Sequence, residues 1–363
     1  MPSIDSVSRQ DLVVCMSGEQ EYTARDAIDA AIFRGEFEDR WHDFLLHLAA
    51  EKRADELELE LDGSAISAAA EQFRYQHDLI TAEETEAWLA NRSLTLDDFS
   101  DHFARQYCAG ALSDGFSPEQ IEYGSADSEL RELFVAELIL SGELEEMTTK
   151  LMWRLAACCA GREMAPSAIA TEEKSFFERN AITPEQLEKW LGRLGRDAKW
   201  FNEMLVREAT FRRCCETLLV PQARQCELAM LRIALTRVKT EVIEFESHDA
   251  AQEALFCVRE DGMSMQEVAA EGQYPYRRAD FFLEEIASEA QHRFFSASAG
   301  DLLGPLERGD GFELCRIISK IEPQADDPMV KSRIERRLLE GHFSELTNRY
   351  VKQRLGAVAP SSE

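Results

Sequence analysis

Apolar and polar positions change period several times along the chain, and each change predicts an element. From Asp11 the run Leu-Val-Val-Cys-Met, the pair Ser17-Gly18 and an apolar series after Thr23 predict a short strand, a tight turn and a helix. Thr23 is placed to cap that helix, with Asp26 at the capping-box position three residues on. From about residue 29 to 218 the spacing is helical, and a linking helix follows from Val220 to Leu235. Thr236 to Glu246, rich in β-branched residues, reads as a strand. His248–Arg259, Met263–Glu271 and Ala279–Phe295 read as helices. Between Ser298 and Pro323 the pattern predicts two strands. Gly300-Asp301 opens the first, Gly304-Pro305 breaks its line, Arg308-Gly309-Asp310-Gly311 supplies a hairpin turn, and Phe312–Ile321 is apolar enough to be buried. Asp327–Leu355 is a long helix with a stripe of Ile334, Leu338, Phe343, Leu346 and Tyr350.

The helical region repeats itself. Phe33-Arg-Gly-Glu-Phe-Glu-Asp39 echoes Leu140-Ser-Gly-Glu-Leu-Glu-Glu146, and Ser64-Ala65-Ile66 echoes Ser167-Ala168-Ile169. Leu79-Ile80-Thr81 to Trp88-Leu89 echoes Ala181-Ile182-Thr183 to Trp190-Leu191. Trp88 and Phe99 match Trp190 and Phe201 at one offset (190 − 88 = 201 − 99 = 102). In each copy a capping Thr and an acidic first turn precede the Trp helix, which suits the helix dipole. Pro184 falls at a first helical position. The two modules span about 29–117 and 131–218, with Gly124-Ser125-Ala126-Asp127 as the joint. Trp88 and Trp190 are read as core anchors.

Composition narrows the function. A chain of 363 residues suggests two or three domains. A net charge of −29 argues against nucleic acid as a partner, because neutralising phosphate takes clustered Lys and Arg, and is compatible with a basic peptide. The polar start, Met1–Gln10, lacks an apolar signal core, and no stretch reaches the roughly 18 apolar residues of a membrane span, so a cytoplasmic protein without membrane insertion is expected. Nine cysteines show no metal-ligand spacing; Cys158-Cys159 and Cys214-Cys215 are vicinal pairs on helices, read with the others as reduced, mostly core-filling thiols. The seven histidines form no H-E-x-x-H pattern. No metal and no cofactor is expected.

The hairpin motif, Gly300-Asp301 to Gly304-Pro305 and then Phe312-Glu313, resembles the last two strands of a parvulin-type peptidyl-prolyl isomerase. The entry around Ser17-Gly18 and the "Ile-Thr, Trp-Leu, Leu-x-x-Asp-Phe" arrangement are similar to SurA-type chaperones, here with the helical module present twice. The resemblance implies an α+β, mostly α-helical fold: N-terminal hairpin and first module (1–117), second module and linking helix (118–235), a parvulin-like small sheet covered by helices in the order β-α-α-α-β-β (236–322), and a C-terminal helix packing back on the helical core (323–363). It also implies a site. Parvulins place two histidines on neighbouring strands; Glu241 and Glu313 stand at the positions expected for them and are expected to face each other, where two close carboxylates would share a proton or hold a basic side chain. No equivalent of the parvulin cysteine or aspartate is evident in Gly272–Arg278. Ile286, Ala290, Phe294, Phe295 and Phe312 are the expected lining of a proline or peptide groove.

Prolyl isomerisation has a barrier of about 18–20 kcal/mol, set by amide resonance, and a catalyst has to bind the twisted amide better than the planar one. Three readings follow. The first is a peptide-binding chaperone with a degenerate isomerase site, taking an unfolded or precursor peptide of the kind handled by peptide maturation and export systems. The second is residual prolyl isomerase activity. The third is a scaffold for such a system. The oligomeric state is left open.

Overall fold

The structure, a computed structural model, describes residues 8–112, 117–161, 164–309 and 311–355. The fold is α+β and mostly helical. The chain divides into two compact units, Met1–Cys215 with Gly341–Glu363, and Glu216–Glu340.

The first unit opens with β1 (Val13–Ser17) and β2 (Gln20–Thr23), an antiparallel hairpin. Next come α1 (Ala24–Phe33), α2 (Glu38–Glu56), α3 (Gly63–Gln76), α4 (Ala82–Ala90) and α5 (Leu96–Ala111). Then follow α6 (Ser128–Leu140), α7 (Glu143–Ala160), α8 (Pro166–Arg179), α9 (Leu187–Leu194) and α10 (Ala198–Leu218). Thr23 caps α1 with Asp26 closing a capping box, and Thr81 and Thr95 cap α4 and α5 with Glu84 and Asp98 in the same roles. Each box satisfies backbone N–H groups that a helix start leaves unpaired.

The duplication is visible in the packing. In the first copy Phe73 of α3 meets Trp88 edge-on at 5.4 Å and Phe99 at 5.4 Å. In the second, Phe176 of α8 meets Trp190 edge-on at 5.1 Å and Phe201 at 4.9 Å. The edge-to-face contacts contribute about 0.5–1.5 kcal/mol each beyond the area they bury. Trp88 and Trp190 are half-buried against the core, as anchors of their modules.

The modules trade their first helices. Phe33 at the end of α1 stacks on Phe176 (4.7 Å) and meets Phe201 (5.8 Å) and Trp200 (6.1 Å), all in the second copy. Asp29 of α1 pairs with Arg196 (2.6 Å). Reciprocally, Phe134 of α6 packs on Trp41 (4.9 Å), Phe44 (5.0 Å) and Phe37 (5.4 Å) of the first copy. The stretch before Asp127, placed by its sequence as the joint, holds a single 3-10 turn (Tyr123–Ser125), and Asp127 caps α6.

The second unit begins with α11 (Pro221–Met230), which ends short of the expected Leu235. Then come β3 (Arg237–Phe245), α12 (His248–Arg259), α13 (Met265–Gly272), β4 (Tyr276–Phe282), α14 (Ser288–Ser296), β5 (Leu302–Arg308) and β6 (Gly311–Ile321). They form one antiparallel sheet in the order β4-β3-β6-β5. This corrects the expected β-α-α-α-β-β order. Ala279–Phe282 is strand rather than helix, because Tyr276–Phe282 pairs along β3 from Ile243 back to Arg237, and of the expected helix a 3-10 turn (Leu283–Glu285) and the α-helix Ser288–Ser296 remain. Asp310 of the hairpin turn and residues 1–7 of the polar start lie outside the described residues.

The long helix α15 (Pro328–Tyr350) falls in the second unit through Glu340 and in the first from Gly341. It stops at Tyr350 rather than Leu355, and β7 (Val351–Gln353) pairs with β1, completing the sheet β2-β1-β7. In the first unit Phe343 is buried against Trp153 (5.3 Å) and Phe211 (4.9 Å). Among the described residues no helix is long and apolar enough to cross a membrane.

Candidate functional site

The four-stranded sheet of the second unit has two differently furnished faces, because neighbouring side chains on a strand alternate. Ile243, Phe245 and Leu314 pack on α12 and α13. Val238, Val242, Cys315 and Ile317 point the other way, towards Leu283 and Phe294. On that second face lies a cavity of about 590 Å³, within the range of about 300–1,000 Å³ usual for ligand pockets. Its floor is apolar: Val242, Ala279, Phe281, Leu306 and Cys315 from the strands, with Ile286, Ala290 and Phe294 around α14.

Charged groups stand at one end. Glu313 of β6 is directly opposite Glu244 of β3. Arg277 of β4 donates to both, 2.8 Å to each carboxylate. Arg308 donates to Glu313 from the β5 end at 2.9 Å. Glu313 is 8% exposed, so a buried carboxylate is satisfied by two guanidiniums that themselves reach solvent. Its hydrogen bond to Glu244, helped by the charge of Glu313, holds Arg277 above its ordinary pKa against the pull of burial. Burial, with the Glu313 charge beside it, pushes the Cys315 thiol up to about 12. Cys315 is therefore a packing group here, since only a thiolate is a good nucleophile.

Backbone geometry sets this end. The register of β5 on β6 shifts between Leu303 and Leu306, and Gly304-Pro305, a cis pair, sits inside the strand instead of ending it. Gly304 has φ +143°, and a Cβ there would lie 2.9 Å from the Glu313 carbonyl oxygen. Only glycine lets β5 pass so close to the strand that carries Glu313.

The expected pair of glutamates does not form. Glu241 is opposite Arg278 and Arg316, three positions from Glu244, and so projects from the α12 face while Glu313 projects from the other. Glu241 accepts from the Tyr276 hydroxyl at 2.8 Å and lies 3.7 Å from Arg278. Of the expected lining, Ile286, Ala290 and Phe294 meet in the cavity. Phe295 points away and is 52% exposed. Phe312 pairs with Phe245 on the α12 face, its ring 5.4 Å from His248. Arg277, Arg308, Glu244 and Cys315 were not anticipated. The alternation in Tyr276-Arg277-Arg278-Ala279-Asp280-Phe281 is the signal that would have placed Arg277 and Ala279 together on a strand.

Chemically, the arrangement offers an apolar socket bordered by guanidinium N–H donors. Both oxygens of the Glu313 carboxylate accept from cations, Oε1 from Arg277 and Arg308 and Oε2 from Arg308, so it anchors them rather than serving as a free base. No histidine lines the cavity.

No protein-family profile and no curated protein matches the chain. Solved structures do match. A peptidyl-prolyl isomerase, PrsA, from Bacillus anthracis is 13% identical over 56% of this chain and 94% of its own, with a TM-score of 0.32. The foldase protein PrsA from Streptococcus pneumoniae is 11% identical over 67% of this chain and 95% of its own, with a TM-score of 0.27. A SurA-like chaperone from Campylobacter jejuni is 10% identical over 58% of this chain and 82% of its own, with a TM-score of 0.20.

Proposed function

We propose that the second unit binds an extended polypeptide, seating an apolar residue, proline foremost, in the cavity beneath α14, and that the protein works as a peptide-binding chaperone for an unfolded or precursor client. The observation that carries this reading is the pairing of an apolar floor with the Arg277 and Arg308 donors held at its end by buried Glu313. Apolar pockets with a few placed polar groups suit a side chain flanked by peptide carbonyls. The guanidiniums supply donors for those carbonyls, and the socket rewards burial of an apolar ring at about 25 cal/mol per Å².

Isomerisation would further require groups that favour the twisted amide over the planar one. Arg277 and Arg308 are held in place by carboxylates and offer a bound peptide only their remaining N–H groups, which makes binding without turnover the expected behaviour.

Exchange NMR on short Xaa-Pro peptides tests both parts. The intact protein should broaden the peptide resonances without raising the cis–trans exchange rate above the uncatalysed one. Ala290→Trp, which fills the socket, should weaken binding by at least about tenfold, equivalent to about 1.4 kcal/mol. Accelerated exchange in the intact protein would replace this reading with an isomerase. Undiminished binding in Ala290→Trp would remove the cavity from it. Glu313→His asks whether an imidazole at this position restores turnover.

A further inference from the structure

A second cavity of about 670 Å³ lies at the β5 edge of the same sheet, between the end of α12 and α14. Val258 and Arg259 come from the end of α12, His292, Arg293 and Ser296 from α14, and Leu302 and Arg316 from the strands. Arg316 and Leu302 are register partners and share a face, while Cys315, the next residue back, points into the peptide cavity. The two cavities share no lining residue, although α14 borders both.

Three guanidiniums and an imidazole border this space in a chain whose net charge is −29. Acidic residues outnumber basic ones, 69 Asp and Glu against 40 Lys and Arg, so most cations should find a carboxylate. Arg277, Arg308, Arg237 and Arg333 of this unit all do. Arg259, Arg293 and Arg316 make no ion pair among the described residues, and the Nε of Arg316 is buried without a hydrogen-bond partner. Glu241, opposite Arg316 across the strands, is engaged by Tyr276 and Arg278 instead. Asp301 also lines the cavity, but its Oδ2 accepts the backbone N–H of Ser298 at 2.7 Å, closing its own turn.

Like charges gathered without partners raise the energy of the empty site, and an arriving anion lowers it. Guanidinium groups also present planar N–H pairs that match carboxylate and phosphate oxygens. We propose that this cavity is an oxyanion-binding site, taking a carboxylate or phosphate group through Arg259, Arg293 and Arg316. It is separate from the peptide cavity, so its failure would leave the chaperone reading untouched.

The test is a titration of the full chain with two probes, a fluorescently labelled hexaglutamate peptide and inorganic phosphate, each repeated on the double variant Arg259→Gln/Arg293→Gln. Arg259 and Arg293 are exposed, so the variant should keep its denaturation midpoint. At least one probe should bind the intact protein. Its binding should weaken by about tenfold or more in the variant, and also in 1 M salt, where the screening length falls to about 3 Å. Binding of the peptide but not phosphate identifies an acidic segment as the source of the oxyanion, and the reverse identifies a free one. The proposal is overturned if neither probe binds, if the double variant binds as tightly as the intact protein, or if a hexaglutamine peptide binds as well as hexaglutamate.

Discussion

Phe33→Ala should loosen the second helical module and leave the first one intact, although Phe33 belongs to the first by position. The ring is fully buried and stacks on Phe176, with Phe201 and Trp200 beside it. Removing a buried phenylalanine side chain costs about 3–5 kcal/mol, from lost transfer energy and the cavity left behind. Asn180 Nδ2, which donates to the Phe33 carbonyl at 3.2 Å, and Arg196, paired with Asp29, tie the same helix to the same module. Hydrogen exchange resolved by segment checks this. Amides in α8–α10 (166–218) should exchange faster in Phe33→Ala, whereas those in α2 (38–56) should respond to Phe134→Ala. Acceleration in α3–α5 upon Phe33→Ala would mean that each module keeps its own first helix.

That exchange of helices was not legible in the sequence, while the duplication was. The repeat could be read because Trp88/Trp190 and Phe99/Phe201 keep one spacing, and those residues are the internal contacts of each module. An apolar helix face specifies only that it will be buried, not which of two similar grooves will bury it. Phe33 and Phe134 suit either until the chain path is known.

The candidate site failed in a different way. Val242 and Phe294 are where a buried strand and a helix face would put them. The facing of Glu241 and Glu313, however, depends on register. Period-2 alternation means that an error of one position transfers a side chain to the opposite face. The true partner is Glu244, and β4 is split by the sequence pattern, because Arg277 and Arg278 give its start the polarity of a loop while Ala279–Phe282 runs on into the helical pattern that ends at Phe295. Its charges are satisfied only across strands, by Arg237–Asp280 (2.7 Å) and Arg277–Glu313 (2.8 Å), and no local spacing reports such pairs.

The second large effect lies in the buried charges of the helical unit, which follow the same exchange. Glu137 on α6 places one carboxylate oxygen 2.8 Å from Nδ1 of His102 and the other 3.1 Å from Arg105, both on α5, with His47 of α2 at 3.9 Å. In the other module the carboxylate is Glu208 on α10, 2.5 Å from Arg154, and Arg34, at the end of α1, approaches it at 3.9 Å. One traded helix brings the acid and the other brings a base. Losing either partner leaves an uncompensated charge in a place with little water, so Glu137→Gln should cost about 3–5 kcal/mol at neutral pH.

The pH dependence of that loss has a definite sign. Burial pushes the Glu137 carboxyl up, but His102, His47 and Arg105 outweigh it and hold it well below the usual carboxylate range. A group depressed in the folded state adds stability above its unfolded pKa, and this is lost as pH falls from there through the folded value. Glu51 on α2 shifts oppositely: burial raises it, against the charge of Arg105, so its own contribution favours the folded state on the acid side. The Glu137 charge also helps to raise Glu51, so the intact protein and Glu137→Gln are compared in urea on a Glu51→Gln background, which removes that titration from both. The difference in unfolding free energy should be largest above about pH 4.5, the ordinary glutamate value, and should shrink steadily below it. A difference that stayed constant down to pH 3 would mean that Glu137 contributes through shape rather than charge.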